Sequence, residues 1–534
     1  MALPLSMLSR GLDSVFSPRP DPPGARDKAW RVAIGILWLG LALYLAAHHV
    51  LWRDEVRALS LALRGETIFD MPAQARGYGH PLFWHVILRA GHDLIGSRVV
   101  LPGAAFTIAI AATVTLIWAS RLRGMLVALV VFGCFGLYEY VVVARNYGIS
   151  LLLLFVIAAS YCRSRGHGMT LGFLLALLCN TNVHALVLAV ALYVFWAGDV
   201  ILGHGANAPA RKTLFWNGVL LAFGAAVSIV SVFPSVEDAP SVSDAGDAVR
   251  SLQFLPSFGF GRIFGNFHYD FSVQAIAALL VIGSLGMFAQ RPAALLAGII
   301  ALSGLQAIFV LVYPGFYRHQ ALLIAFYITL AWLVAAGHGG RWSAGARAAG
   351  WLRRAELGGR ALFLVLLAAQ LPASARVIAN TAGGRPEGEA RRVAALIARH
   401  RLEQAIIIVE PDFMGETLRY YVDNPLYSLR QMRFADVTGM KLAESSTMTL
   451  ARILAAARAV QHRHRRDVLI LLNAPLSPGG QRSVIERGSF GPLLMTAADQ
   501  RRFRSETVPL GELRSAIGDE EYGTYLLKPA SPGN

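Results

Sequence analysis

Residues 31–55 run RVAIGILWLGLALYLAAHHVLWRDE. Positions 31 to 51 are apolar for long enough to cross a hydrocarbon core about 30 Å thick, and two adjacent carboxylates, Asp54 and Glu55, follow at once. The run starts too far into the chain and is too long for a signal segment, and no small-residue cleavage site precedes WRDEV, so it is expected to stay as a span. Ten further runs of this kind lie near 99–119, 124–141, 146–162, 169–184, 185–202, 214–233, 271–289, 292–312, 319–337 and 361–378. The expected fold is a polytopic α-helical membrane protein of about eleven spans.

Composition agrees. Of 534 residues, 55% are hydrophobic and 15% charged, with mean hydropathy +0.50, whereas soluble domains average about 25% charged. An ordinary cytosolic enzyme is excluded. The formal charge of +16 and pI near 10.1 would suit nucleic-acid binding only if the cations formed one patch. They follow the membrane instead. With the stretch 81–96, PLFWHVILRAGHDLIG, laid flat as an interfacial helix, the inner segments carry +12, the outer segments up to 384 carry zero, and residues 385–534 carry +4. Positive charge marks the cytoplasmic side, which predicts a cytoplasmic N-terminal segment 1–30, a membrane module 31–378 with an outer loop 52–98, and an outer, periplasmic domain 385–534 in a bacterial inner membrane. The inner loop 338–360, with Arg341, Arg347, Arg353, Arg354 and Arg360, is then a topology anchor first, with binding of anionic lipid head groups as the alternative. Cys134, Cys162 and Cys179 lie in apolar stretches without metal-ligand spacing.

Beyond 385 the apolar runs shorten to strand length. EQAIIIVEP (403–411) and RDVLILLNAP (466–475) read as buried strands, with a helix over 449–463 between them. A small α/β domain is expected, with support or acceptor binding as its task. It lacks a Gly-rich phosphate loop, a nucleophile elbow and a paired-His motif, and its HRHRR tract (462–466) suits a solvated helix end.

The residues suited to chemistry fall on the outer face. Asp54 and Glu55 stand at the membrane border, where partial desolvation raises a carboxylate's basicity. The loop they open ends in Gly79-His80-Pro81, with Pro81 fitting a first helical turn and His80 placed to donate to an anion or to cap. The turn YEYVVVARNYGIS presents Glu139, Arg145, Asn146 and Tyr147, and YPGFYRHQ presents Tyr317, Arg318 and His319. Charges at this depth tend to face a cavity or partner, and arginine forks suit phosphate. NTNVH (180–184) is a polar break that must be buried in protein or line a wet cavity.

Together, WRDEV after the first span, GHPLFW, the Y-x(6)-R turn ending in ARNYG, the polar break in the fifth span region, the weaker YRH and the outer C-terminal domain resemble the GT-C superfamily of polyprenyl-phosphate-sugar-dependent glycosyltransferases. Within it the similarity is to the lipid A aminoarabinose transferase, protein O-mannosyltransferase and Rgt-type families. The resemblance implies transfer of a sugar from a polyprenyl-phosphate donor to a hydroxyl of a glycan, lipid or protein acceptor, with inversion at the anomeric carbon and no nucleotide fingerprint. It implies Asp54 as general base and Glu55 as an orienting residue or metal ligand. His80 would lie near an acceptor or donor head group, Arg145 and Tyr147 near the lipid phosphate, and Arg318 or His319 beside the leaving phosphate. Where some relatives have HPP this chain has His80-Pro81-Leu82, and Glu66 and Asp70 are the only later acids before that motif. Dependence on a divalent cation, Mg²⁺ or Mn²⁺ held by Asp54 and Glu55, is therefore left open. The loop 234–270, with Glu237, Asp238, Asp244, Asp247, Arg250 and Arg262, is expected to act as a substrate lid. A lipid-carrier flippase or transporter is the alternative, but such proteins show internal repeats and charges near mid-bilayer. A scaffold displaying 385–534 would leave the convergence of Asp54, Glu55, His80 and Arg145 unexplained.

Overall fold

The computed structural model describes residues 5–529 apart from 21, 76–77, 203–207, 234–258, 261, 265–270, 314, 344, 438–446, 477–482, 486–490 and 516. Every apolar run expected to span is helical. Among the described residues, eight helices are long and apolar enough to cross a membrane: Ala25–His48, Val100–Ala119, Tyr147–Ser164, Val183–Leu202, Ala210–Val232, Pro292–Leu311, Tyr317–Ala335 and the pair joined over Ala346–Ala382. The other three runs form shorter apolar helices, Thr170–Cys179, Ser272–Phe288 and Gly124–Phe132. The last breaks at Gly133 into a π-turn over Phe135–Glu139. Gly136 is required there, because a Cβ would stand 2.1 Å from the Val130 carbonyl oxygen. The stretch expected at the interface is the amphipathic helix Phe83–Ile95, too short to span, with Trp84, Leu88 and Arg89 buried. The lid expected over 234–270, including Glu237, Asp238, Asp244, Asp247 and Arg250, lies outside the described residues apart from 259–260 and 262–264. Of these, Arg262 stacks on the Phe316 ring at 4.5 Å.

Tyr317–Ala335 is the central helix. It is 83% buried along its apolar window, against 28% for Ala25–His48. Its surroundings are protein, so polar groups at its start meet other side chains and not lipid.

Beyond residue 400 the described strands are β1 (Ile406–Glu410), β2 (Leu426–Ser428), β3 (Arg433–Phe434), β4 (Met448–Thr449), β5 (Val468–Leu472), β6 (Ser483–Ile485), β7 (Leu493–Met495), β8 (Thr507–Leu513) and β9 (Tyr522–Leu527), and six of them form a sheet in the order β3-β2-β1-β5-β9-β8. Its parallel centre is β2 (Leu426–Ser428), β1 (Ile406–Glu410) and β5 (Val468–Leu472). β3 (Arg433–Phe434), β9 (Tyr522–Leu527) and β8 (Thr507–Leu513) add antiparallel edges. The period of two divides β1 between both faces. Ile406 and Ile408 pack with the helix Leu450–His464, and Ile407 and Val409 with Ala390–Arg399. Parallel strands covered on both faces read as continuous apolar runs, which is why IIIVE and VLILL stand out in the sequence.

The carboxyl ends of these strands meet the segment after the first span. The Arg53 amide donates to Glu520 Oε1 at 3.0 Å, and its guanidinium pairs with Asp519 at 2.9 Å. Arg57 pairs with Glu416 at 2.7 Å, Arg98 with Asp423 at 2.6 Å, and the Leu51 amide donates to the Tyr421 hydroxyl at 2.9 Å. Burial pushes the Glu520 carboxyl up to about 7 despite Arg53 and the Thr417 hydroxyl, which act the other way. The folded protein then binds this proton more tightly than the unfolded chain, so stability falls as pH rises from the unfolded value near 4.5 through 7, by about 3 kcal/mol from this group. Glu520→Gln should flatten that slope. Thermal unfolding of the detergent-solubilised protein between pH 5 and 8 checks it, and parallel curves for wild type and variant would refute it.

Candidate active site

The helix Arg53–Ala62 begins one residue beyond a short extended link from the first span. Successive helical residues point about 100° apart, so its two acids diverge. Glu55 is fully buried. Its carboxylate accepts from the Trp52 amide at 2.7 Å, the reach-back half of a capping box, and from the Ala144 amide at 2.5 Å, and it meets His49 Nε2 at 3.0 Å. His49 Nδ1 continues to the Tyr138 hydroxyl at 3.1 Å, which donates to Glu387 at 2.9 Å. Glu55 thus fixes the helix start against the turn that carries Arg145.

Asp54 points the other way and stays partly exposed. Its Oδ2 pairs with Arg145 Nη1 at 2.7 Å. Arg145 Nη2 reaches His80 Nε2 at 3.3 Å. A guanidinium only donates, so His80 accepts here, and this nitrogen is not offered to an anion as the sequence suggested. Asp54, Arg145 and His80, 91 positions apart at the extremes of Asp54 and Arg145, therefore form one contact chain. Burial opposes ionisation of Asp54, but Arg145, then Arg318 and Arg53, outweigh it and hold the carboxyl at about 2. Burial and the Arg145 charge bring the His80 imidazole down to about 3. At neutral pH the site holds a carboxylate, a guanidinium and a neutral imidazole.

Tyr147 and His319 back this chain. Tyr147 interacts electrostatically with Arg145, stacks on Tyr140 at 5.9 Å between centroids, and meets the His319 ring edge-on at 5.3 Å. His319 Nδ1 accepts from the Phe316 amide at 2.8 Å, capping the central helix, and its ring lies 4.9 Å from His184. Arg318 sits over the Trp52 ring at 4.7 Å and stands 3.8 Å from Glu139. Among the described residues, its buried Nε and the facing Glu139 oxygen have no hydrogen-bond partner. Such a guanidinium retains donor capacity for an anion.

The polar break 180–182 is mostly closed on itself. Asn182 caps the helix Val183–Leu202 through the Ala185 amide at 2.8 Å, Thr181 and Ser150 hydroxyls meet at 2.8 Å, and Asn146 donates to the Thr181 carbonyl at 2.6 Å. His184 differs, since both ring nitrogens are buried and have no hydrogen-bond partner among the described residues. Sequence reasoning passed over Trp52, which lies inside WRDEV and supplies the platform for Arg318, and His49, whose pairing with Glu55 has no local signal.

These residues do not fit a resident divalent cation. Asp54 is flanked by arginines, Glu55 has its oxygens turned to three donors, and among the described residues no group of three or more His, Cys, Asp or Glu could hold a metal. Glu55→Ala should destabilise the protein by about 3 kcal/mol, the scale for breaking a buried charged pair, measured as a lowered midpoint in thermal unfolding. An unchanged midpoint would show that Glu55 does not hold the helix to the turn.

No described protein family and no curated protein matches this sequence. Among solved structures, the crystal structure of ArnT from Cupriavidus metallidurans bound to undecaprenyl phosphate aligns with 87% of this chain and 97% of its own, at 15% identity and a TM-score of 0.39.

Proposed function

We propose that this protein is an integral-membrane glycosyltransferase that moves a sugar from a polyprenyl phosphate to an acceptor hydroxyl at the periplasmic surface of the bacterial inner membrane. The observation that carries this reading is the contact of Asp54, Arg145 and His80 at the ends of membrane spans, with the Arg318 guanidinium beside them. A sugar carried on a lipid phosphate has an anionic leaving group, so its transfer needs a base for the incoming hydroxyl and cations for the departing phosphate. Both occur here on one face.

In the proposed reaction, Arg145 and Arg318 hold the phosphate oxygens. The acceptor oxygen attacks the anomeric carbon from the side opposite the phosphate, its proton passes to the Asp54 carboxylate, and the bond between that carbon and the phosphate oxygen breaks. Its electron pair leaves on polyprenyl phosphate, so a single displacement inverts the centre. His80 stays neutral and aims the Arg145 fork. Tyr147 and His319 shape the wall behind it. The domain built on β1 and β5, tied to Arg53 and Arg57, supports the catalytic helix and borders the path of the glycan, lipid or protein acceptor.

Asp54→Asn should lower release of polyprenyl phosphate from a lipid-linked sugar by about 10³-fold with unchanged thermal unfolding, and Arg145→Gln by about 10²-fold or more. Undiminished turnover in Asp54→Asn would remove the general-base role. Because burial and the Arg145 charge hold the His80 imidazole at about 3, His80 should contribute no limb to kcat/KM between about pH 5 and 8. A limb near pH 6.5 that vanishes in His80→Gln would contradict the neutral role.

A further inference from the structure

The helices Val100–Ala119, Tyr147–Ser164 and Tyr317–Ala335 carry site residues, or the segment docked on the sheet domain, at or just before their first turns. Their far ends surround a cavity of about 620 Å³. Eighteen helical residues cover roughly 27 Å, so this cavity and the Asp54/Arg145 pair lie at opposite membrane faces. Arg19, Arg121, Arg163, Ser120, Trp118 and Trp332 are in its lining.

The chemistry of this lining is that of an anion site. Three helix carboxyl ends point here, and their dipoles would oppose an anion. On Val100–Ala119 that opposition is answered, because Arg19 donates to the Trp118 carbonyl at 3.1 Å and the buried Arg31 to the Ile117 and Leu122 carbonyls. Arg163 then adds a charge with no ion pair or hydrogen bond among the described residues. Ser120 gives a second, independent observation. It is 1% exposed and its Oγ has no hydrogen-bond partner among the described residues, and a buried hydroxyl left unsatisfied is unfavourable until a partner enters. Trp118 is half exposed at the rim, a position where indole rings favour the interface between head groups and acyl chains.

We infer that this cavity binds the phosphate of an anionic membrane lipid in the leaflet opposite the Asp54 site. Arg121 and Arg163 contact the phosphate, Ser120 donates to it, and Trp118 packs on the glycerol and upper acyl chain. The bound lipid ties together the far ends of three helices whose near ends position the site.

Native mass spectrometry of the full chain in detergent, titrated with phosphatidylglycerol, phosphatidylcholine or inorganic phosphate, tests this. The wild type should retain one phosphatidylglycerol more tightly than phosphatidylcholine. Arg121→Gln with Arg163→Gln should weaken that step by about tenfold or more while Arg163→Lys largely keeps it. Equal retention of both lipids, or an unaltered double variant, would overturn the inference. Competition by inorganic phosphate at the concentration that phosphatidylglycerol requires would overturn the lipid assignment. Because Arg163→Lys keeps the charge, a general folding defect shows as loss of thermal unfolding cooperativity in the double variant. Ser120→Val, which removes only the hydroxyl, then decides: weaker retention supports the site and unchanged retention refutes it.

Discussion

The site depends on one buried carboxylate. Taking Glu55 out of water costs several kcal/mol, and the arrangement persists because two backbone amides and His49 face it. One of those amides belongs to Ala144, 89 positions away. The contact sets the start of the Arg53–Ala62 helix against the turn before Tyr147. Once Glu55 is fixed inward, the helical period turns Asp54 outward, directly onto Arg145. The acidic pair is thus divided between a structural carboxylate and one that, under the proposed function, serves as the base.

The same clamp couples the membrane module to the sheet domain. From Glu55 the contacts run through His49 and Tyr138 to Glu387, and on the other side of the helix Arg53 and Arg57 reach Asp519, Glu520 and Glu416. Parallel strands point their carboxyl ends at this seam, where loops are free to carry side chains. A shift of the domain would therefore move the helix that holds Asp54.

What could be read in advance follows from periodicity and cost. The membrane runs and the two central strands were legible because burial imposes apolar residues over a fixed length, and the helix after 449 because its period is 3.6. Asp54, Arg145 and His80 stood out because charge at a membrane border needs a partner. Their partners did not, since no local pattern tells that Glu55 answers the Ala144 amide or that His80 accepts from Arg145. The short helix Thr170–Cys179 has a physical cause that was partly visible. NTN ends it, and its amides and hydroxyls satisfy each other instead of opening a wet cavity. His184 beside it is the exception, its ring against those of His319 and Phe309 and its two nitrogens without a hydrogen-bond partner among the described residues.

The charges around Asp54 bear on how a carboxyl held at about 2 can act as a base. Arg53 is committed to Asp519 and Glu520, which leaves Arg145 and Arg318 facing Asp54 and Glu139, two cations against two acids. A phosphate entering this balanced set finds donor capacity on Arg318 but gains Arg145 Nη1 only by loosening its contact with Asp54. Arg318 is the easier to recruit, since its pairing with Glu139 is long at 3.8 Å. Arg145 is the more consequential, since it is the largest influence opposing protonation of Asp54. Under the proposed function, binding of the lipid phosphate draws Arg145 away, and the partly desolvated Asp54 becomes more basic as its counter-charge leaves. His80 limits how far the guanidinium swings, because it holds Nη2 while Nη1 changes partner. The low value of the free carboxyl then describes a resting state, and the base forms when the donor is in place.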